Sequence, residues 1–156
     1  GDYTCAYSIT VDLGCLGYRL PTEAEWEYVA RAGATGSLPT GELSKGDCDF
    51  DPVLDTVGWY CGNASHTQAV MKREPNAWMF YDMNGNVWEW VWDSYAPYAT
   101  GAVADPAQMV GRDGRVFRGG AANFPAQDAR LSRRGWAAPG YTSPWLGLRP
   151  ARTLAR

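Results

Sequence analysis

No stretch of this 156-residue chain is apolar enough, over enough length, to cross a bilayer as a helix. No cysteine follows Cys61, and none of the four (Cys5, Cys15, Cys48, Cys61) stands in a CxxC or Cys/His spacing. That excludes the common structural zinc sites, which need four such ligands at short paired intervals. There is one histidine, His66, in a polar loop beside Asn63. A lone loop histidine is ordinarily solvated. No Ser-His-Asp arrangement can be assembled around it, and Gly119-Gly120 lacks the context of a phosphate loop. Heptads, internal repeats and low-complexity tracts are missing too, which argues against coiled coils and solenoids.

What is present is a core-forming, turn-rich composition. Hydrophobic residues make up 46% of the chain, which argues against disorder. Gly 18, Pro 10, Trp 8 and Tyr 9 predict a loop-rich fold packed with large flat rings, in one domain over residues 1–156. A net charge of -3 gives no reason to expect a nucleic-acid partner. The charge is uneven: residues 112–156 hold nine arginines against Asp113 and Asp128. Cys5–Cys15 and Cys48–Cys61 can form local disulfides, which would favour a secreted, periplasmic or cell-surface location; the alternative is four buried thiols. Asn63-Ala64-Ser65 fits a glycosylation sequon, a short motif with many false positives.

Along the chain, Tyr7, Ile9, Val11 and Leu13 alternate with other residues as in a half-buried strand. Thr22-Glu23-Ala24-Glu25 after Pro21 is a capping box. It predicts a helix that stops near Gly33, with Ala24, Tyr28 and Val29 on its apolar face. Residues 34–56 read as loop, 57–60 as a short buried strand, and 62–77 as loop again. Strands are expected at residues 115–118 and 146–149.

Residues 80–90 carry four carboxylate or amide side chains (Asp82, Asn84, Asn86, Glu89), a central Gly85, and Trp88 and Trp90. Oxygen ligands around a glycine turn suit a hard cation such as calcium, with Asp82, Gly85, Val87 and Glu89 as the candidate set. The alternative is a turn held by Asn and Asp side chains bonded to backbone. In the tail, constant-looking pieces (Arg118-Gly119-Gly120, Arg130, Arg134, Pro139-Gly140, Gly147-Leu148-Arg149-Pro150) alternate with chemically mixed residues. Asn123, Phe124, Asp128, Arg133, Trp136, Tyr141, Ser143 and Trp145 are the candidate ligand-binding residues, because aromatics and arginines on framed loops suit a binding face. Trp136 and Trp145 could equally be core.

Five segments in order carry a resemblance: Gly17-Tyr-Arg-Leu-Pro-Thr-Glu-Ala-Glu-Trp-Glu-Tyr28, Pro75-Asn-Ala-Trp78, Tyr81-Asp-Met-Asn-Gly-Asn-Val-Trp-Glu-Trp90, Arg115-Val-Phe-Arg-Gly-Gly120 and Gly147-Leu-Arg-Pro-Ala151. Together they resemble the formylglycine-generating enzyme (sulfatase-modifying factor) family. The resemblance implies an α+β, C-type-lectin-like fold, loop-rich, with short twisted antiparallel strands and one or two helices. It implies calcium at Asp82, Glu89 and the Gly85 and Val87 carbonyls. It also implies a domain lacking the usual N-terminal portion, so that a second chain could complete it.

The oxidase members of that family use a cysteine pair in the tail to hold copper. Around Gln127 and Leu131, where the resemblance would put them, this chain has none, and a soft metal finds no ligand there. The tail is similar instead to that of diversity-generating retroelement variable proteins, whose tail is a ligand-binding face. The expected function is therefore non-catalytic binding of a protein or small-molecule ligand through the C-terminal face, one version being a retroelement-diversified receptor, with no catalytic residue assigned. The alternative is a metal-dependent oxidoreductase of the same family with an altered or subunit-completed site.

Overall fold

The computed structural model describes residues 17–98, 100–104, 106–107 and 114–153. The strand expected over residues 7–13 and the Cys5–Cys15 pair lie outside them. The elements in order are β1 (Tyr18–Arg19), α1 (Glu23–Arg31), α2 (Pro52–Val57), β2 (Gly58–Trp59), β3 (Asn84–Gly85), β4 (Trp88–Ser94), β5 (Arg115–Arg118), a single 3-10 turn (Ala126–Ala129), β6 (Arg134–Ala137), β7 (Leu146–Leu148) and β8 (Ala151–Arg152). The central sheet runs β6-β5-β4-β7, flanked by two-stranded pairs β1-β8 and β2-β3. This is the loop-rich α+β architecture expected. Two of its pairings, β4 with β7 and β2 with β3, are parallel, because residues far apart in the chain close them.

Helix α1 forms where the capping box puts it. Thr22 Oγ1 accepts from the Glu25 N–H at 3.2 Å, and the Glu25 carboxylate accepts from the Thr22 N–H at 2.8 Å. Ala32 ends the helix in the left-handed region at φ 46°. Its buried face differs from the expected one. Glu23, Trp26 and Ala30 are buried, whereas Tyr28 is 68% exposed and rests edge-on against Trp78. A carboxylate takes a core position because a cation from β5 meets it there, as described below.

Two apolar clusters hold the domain. Trp26, Ala30, Met83, Val91, Val116 and Leu131 pack between α1 and the central sheet. Leu38, Leu54, Val57, Tyr60, Ala126 and Ala129 form the second. The tail's 3-10 turn thus belongs to the same core as α2. Gly119 and Gly120 make the link, with φ of 98° and 82°. A Cβ on Gly120 would stand 2.9 Å from Ala129 Cα, so the chain passes here only without a side chain.

Residues 34–56 are not all loop. Asp51 caps α2, accepting from the Val53 and Leu54 N–H groups, and Pro52 fills the first helical position. The other Asp51 oxygen accepts from Ser44 N–H, Ser44 Oγ–H and Lys45 N–H at 2.6–2.8 Å. Cys48 and Cys61 are joined by a disulfide across this loop. Beside it, Ala126 and Gln127 donate to the Asp47 and Gly46 carbonyls, and Cys61 donates to Phe124. The disulfide-closed loop therefore braces the segment 124–127 of the tail.

Candidate functional site

The tail is framed by ion pairs that only the folded sheet brings together. Register pairs Glu89 with Arg118 and Arg118 with Arg134, so these side chains share the face that α1 covers. Arg118 is 0% exposed. It donates to Glu23 at 3.0 Å, to Glu27, and to the Leu131 and Ser132 carbonyls. Arg134 grips the same Glu23 carboxylate with two bonds, at 2.7 and 2.8 Å, and donates to the Ala96 carbonyl. The Tyr98 hydroxyl adds a third donor to Glu23 at 3.0 Å. Burial raises the Tyr98 pKa, and the Glu23 charge raises it further, so the phenol keeps the proton it donates.

On this frame the Arg134 guanidinium lies 4.9 Å from the Tyr95 ring centre and 4.1 Å from that of Tyr98. Trp136 stacks on Tyr95 with ring centres 5.6 Å apart and planes 26° apart. All three rings reach solvent: Tyr95 is 46% exposed, Tyr98 60% and Trp136 54%. Tyr98 also walls an open cleft of about 630 Å³ between α1 and Gly101, Val103, Pro106 and Ala107.

The eight candidate ligand residues fall into two groups. Asn123, Arg133, Trp136 and Tyr141 are exposed. Phe124 packs edge-on against Trp88 and its carbonyl holds Cys61. Asp128 is buried and accepts from Arg133 at 2.6 Å. Ser143 Oγ accepts from the Trp145 N–H, and the Trp145 carbonyl accepts from the Trp88 N–H. Phe124, Asp128, Ser143 and Trp145 are therefore tied into the frame. Ala122 is fully buried, donating to the Asn86 carbonyl. The reading from sequence passed over Tyr95 and Tyr98, took Glu23 as a capping-box residue alone, and placed Arg118 in the constant frame without its partner. The available signal was Glu23 and Glu27 four apart on the helix beside Trp26, an acidic pair on a face that also carries a tryptophan.

At the candidate cation site, Asp82 stands in the left-handed region at φ 56° and its Oδ2 accepts from the Met71 N–H at 2.8 Å. Its Oδ1 is buried with no partner. Five other buried side-chain atoms lack partners among the described residues, and all five are N–H donors. An orphaned carboxylate oxygen can take a cation or a water, so this part of the set is compatible with calcium. Glu89 is already served: Arg149 donates to both its oxygens at 2.7 and 2.9 Å, and Trp26 Nε1 donates at 2.7 Å. Oε2 accepts both the Trp26 and the Arg149 Nε bonds and is filled, whereas Oε1 accepts one bond and keeps a lone pair through which Glu89 could still ligate. Asn84 and Asn86 are used as turn residues, bonded to the Ala129 and Gln68 backbone.

The remaining sequence candidates are placed simply. His66 is exposed, with its ring 3.2 Å from Ser65 Oγ. Among the described residues no three His, Cys, Asp or Glu side chains gather into a metal cluster. Gln127 is exposed and Leu131 fully buried. The Asn63 amide of the sequon donates to Asp55 and to the Gly58 carbonyl, bonds that glycosylation would disrupt. No helix among the described residues is long and apolar enough to cross a membrane.

A family model described as the sulfatase-modifying factor enzyme 1-like domain matches residues 1–154. The chain is 35% identical to the formylglycine-generating enzyme of Streptomyces coelicolor, over 86% of this chain and 46% of that protein. It is 32% identical to the inactive C-alpha-formylglycine-generating enzyme 2 of Mus musculus, over 90% of this chain and 44% of that protein. The solved Treponema denticola variable protein 1 superposes with a TM-score of 0.82 at 34% identity, covering 91% of this chain and 50% of that one. The chain spans about half the length, or less, of the curated relatives it matches. With the motifs, the loop-rich α+β fold and this match in agreement, the chain belongs to the formylglycine-generating enzyme (sulfatase-modifying factor) family and has its C-type-lectin-like fold.

Proposed function

We propose that this domain binds a partner through its C-terminal face and carries no formylglycine oxidase chemistry. The observation that carries the reading is the division of the tail: Asn123, Arg133, Trp136 and Tyr141 point to solvent from a frame locked by a fully buried Arg118. Copper chemistry of the oxidase kind needs soft thiolate ligands. Cys48 and Cys61 are spent on a disulfide and no cysteine follows them. The likeness to a variable protein supports a face whose residues are exchangeable, and the likeness to an inactive enzyme 2 supports a family fold without the reaction. The test is incubation of the purified domain with oxygen, copper and a cysteine-containing peptide, read by mass spectrometry. The peptide should return unchanged; conversion of its cysteine to an aldehyde would sink the reading.

A structural calcium at Asp82, Gly85, Val87 and Glu89 accompanies this reading. Bound there, the ion would neutralise the orphaned Asp82 oxygen and tie the turn to β4. At free calcium about thirtyfold above Kd it would add about 2 kcal/mol, or about 5 °C in Tm. Chelation should remove that increment from the native chain and have no effect on Asp82→Ala. A melting temperature that ignores chelator in the native chain contradicts the site.

A further inference from the structure

We propose that Tyr95 and Tyr98, which lie outside the tail, belong to the binding face, and that its partner is a protein presenting an apolar side chain flanked by acidic ones. This inference rests on the tail-face reading above and names the partner's chemistry. Three independent observations converge on it.

The first is the stack itself. Trp136, Tyr95, the Arg134 guanidinium and Tyr98 form successive contacts, and Arg134 is fixed by two bonds to a buried Glu23. Rings held in this way lose little freedom on binding, and Trp, Tyr and Arg are the residues that dominate protein interfaces. The second is the adjoining cleft. Tyr98 forms one wall, with Tyr28, Val103 and Pro106 among the apolar lining and Glu27 and Asp93 among the charged, and about 630 Å³ accommodates a large apolar side chain. The third is charge. Arg130 and Arg133 are exposed on the turn that leads into β6, and no acidic residue occurs after Asp128. Arg133 shares Asp128, while Arg130 Nε donates to the Gln127 carbonyl and meets no carboxylate among the described residues. Acidic groups on a partner complement this edge.

The test uses a phage-displayed library of random linear dodecapeptides selected on the intact domain. Selected peptides should carry a large apolar residue next to Asp or Glu, and their affinity should fall in high salt. Tyr95→Ala and Tyr98→Ala should each weaken them about tenfold. Tyr95→Phe should retain binding because the ring remains, and Leu148→Ala, on the opposite edge strand, should be silent. Circular dichroism and thermal melts confirm that each variant is folded. If Trp136→Ala weakens binding while Tyr95→Ala and Tyr98→Ala do not, this inference falls and the tail reading stands. If none of the three matters, both fall. A library that yields no more binders than on the Trp136→Ala, Tyr95→Ala, Tyr98→Ala triple variant also overturns the proposal.

Discussion

Replacing Glu23 with alanine should cost about 4 kcal/mol, the largest loss expected from any single side chain here. Glu23 is buried and receives bonds from Arg118, Arg134 and Tyr98. Its removal leaves the Arg118 cation, at 0% exposure, with Glu27 as its one carboxylate among the described residues, and leaves Arg134 with the Ala96 carbonyl and the Tyr95 and Tyr98 rings. Withdrawing a shared carboxylate from two cations held away from water is far more costly than losing a neutral hydrogen bond. Urea unfolding measures the loss directly. A change below about 1 kcal/mol would show that the network is a surface ion pair in its energetics.

Asp51→Ala should cost about 3 kcal/mol. Loss of the α2 cap accounts for one part, and the orphaned Ser44 and Lys45 amides account for the rest. The same carboxylate gives the domain an acid limit. Burial alone would raise its pKa, but the bonds from Leu54, Ser44 and Lys45 outweigh burial and hold it at about 2, below the ordinary 3.8. A folded-state pKa below the unfolded one stabilises above the unfolded value, and that stabilisation disappears as pH falls through the folded value. The native chain should therefore lose about 2 kcal/mol between pH 4 and pH 2 from this group, while Asp51→Ala should lack that component. Equal acid slopes in the two proteins would contradict the assignment.

Much of the fold was legible where local chemistry decides structure. The α1 capping box, the strand at residues 115–118 and the Cys48–Cys61 pair follow from neighbours in sequence or from spacing. The buried face of α1 was not legible. Apolar periodicity favours Tyr28 and discounts Glu23, since a carboxylate is rarely buried unless paired. Its partner Arg118 lies 95 residues away, and nothing local announces it. Helix α2 escaped for a related reason: six residues are too few for a periodic pattern, although Asp51-Pro52 is a start signal. The candidate face was legible in composition but not in division. Asp128 and Arg133 are both charged tail residues, yet one is buried and the other exposed. Tyr95 and Tyr98 join Trp136 only because β6 lies at the sheet edge beneath the segment that follows β4.

The central claim is that the exposed tail residues serve binding and are dispensable to the frame. It is tested most directly by the melting temperature of the combined variant Asn123→Ala, Arg133→Ala, Trp136→Ala, Tyr141→Ala. Loss of the Trp136 stack and of the exposed Arg133 partner of the buried Asp128 should total about 2 kcal/mol, or about 5 °C. A fall as large as that of Glu23→Ala alone would place these residues in the folding core and contradict the account.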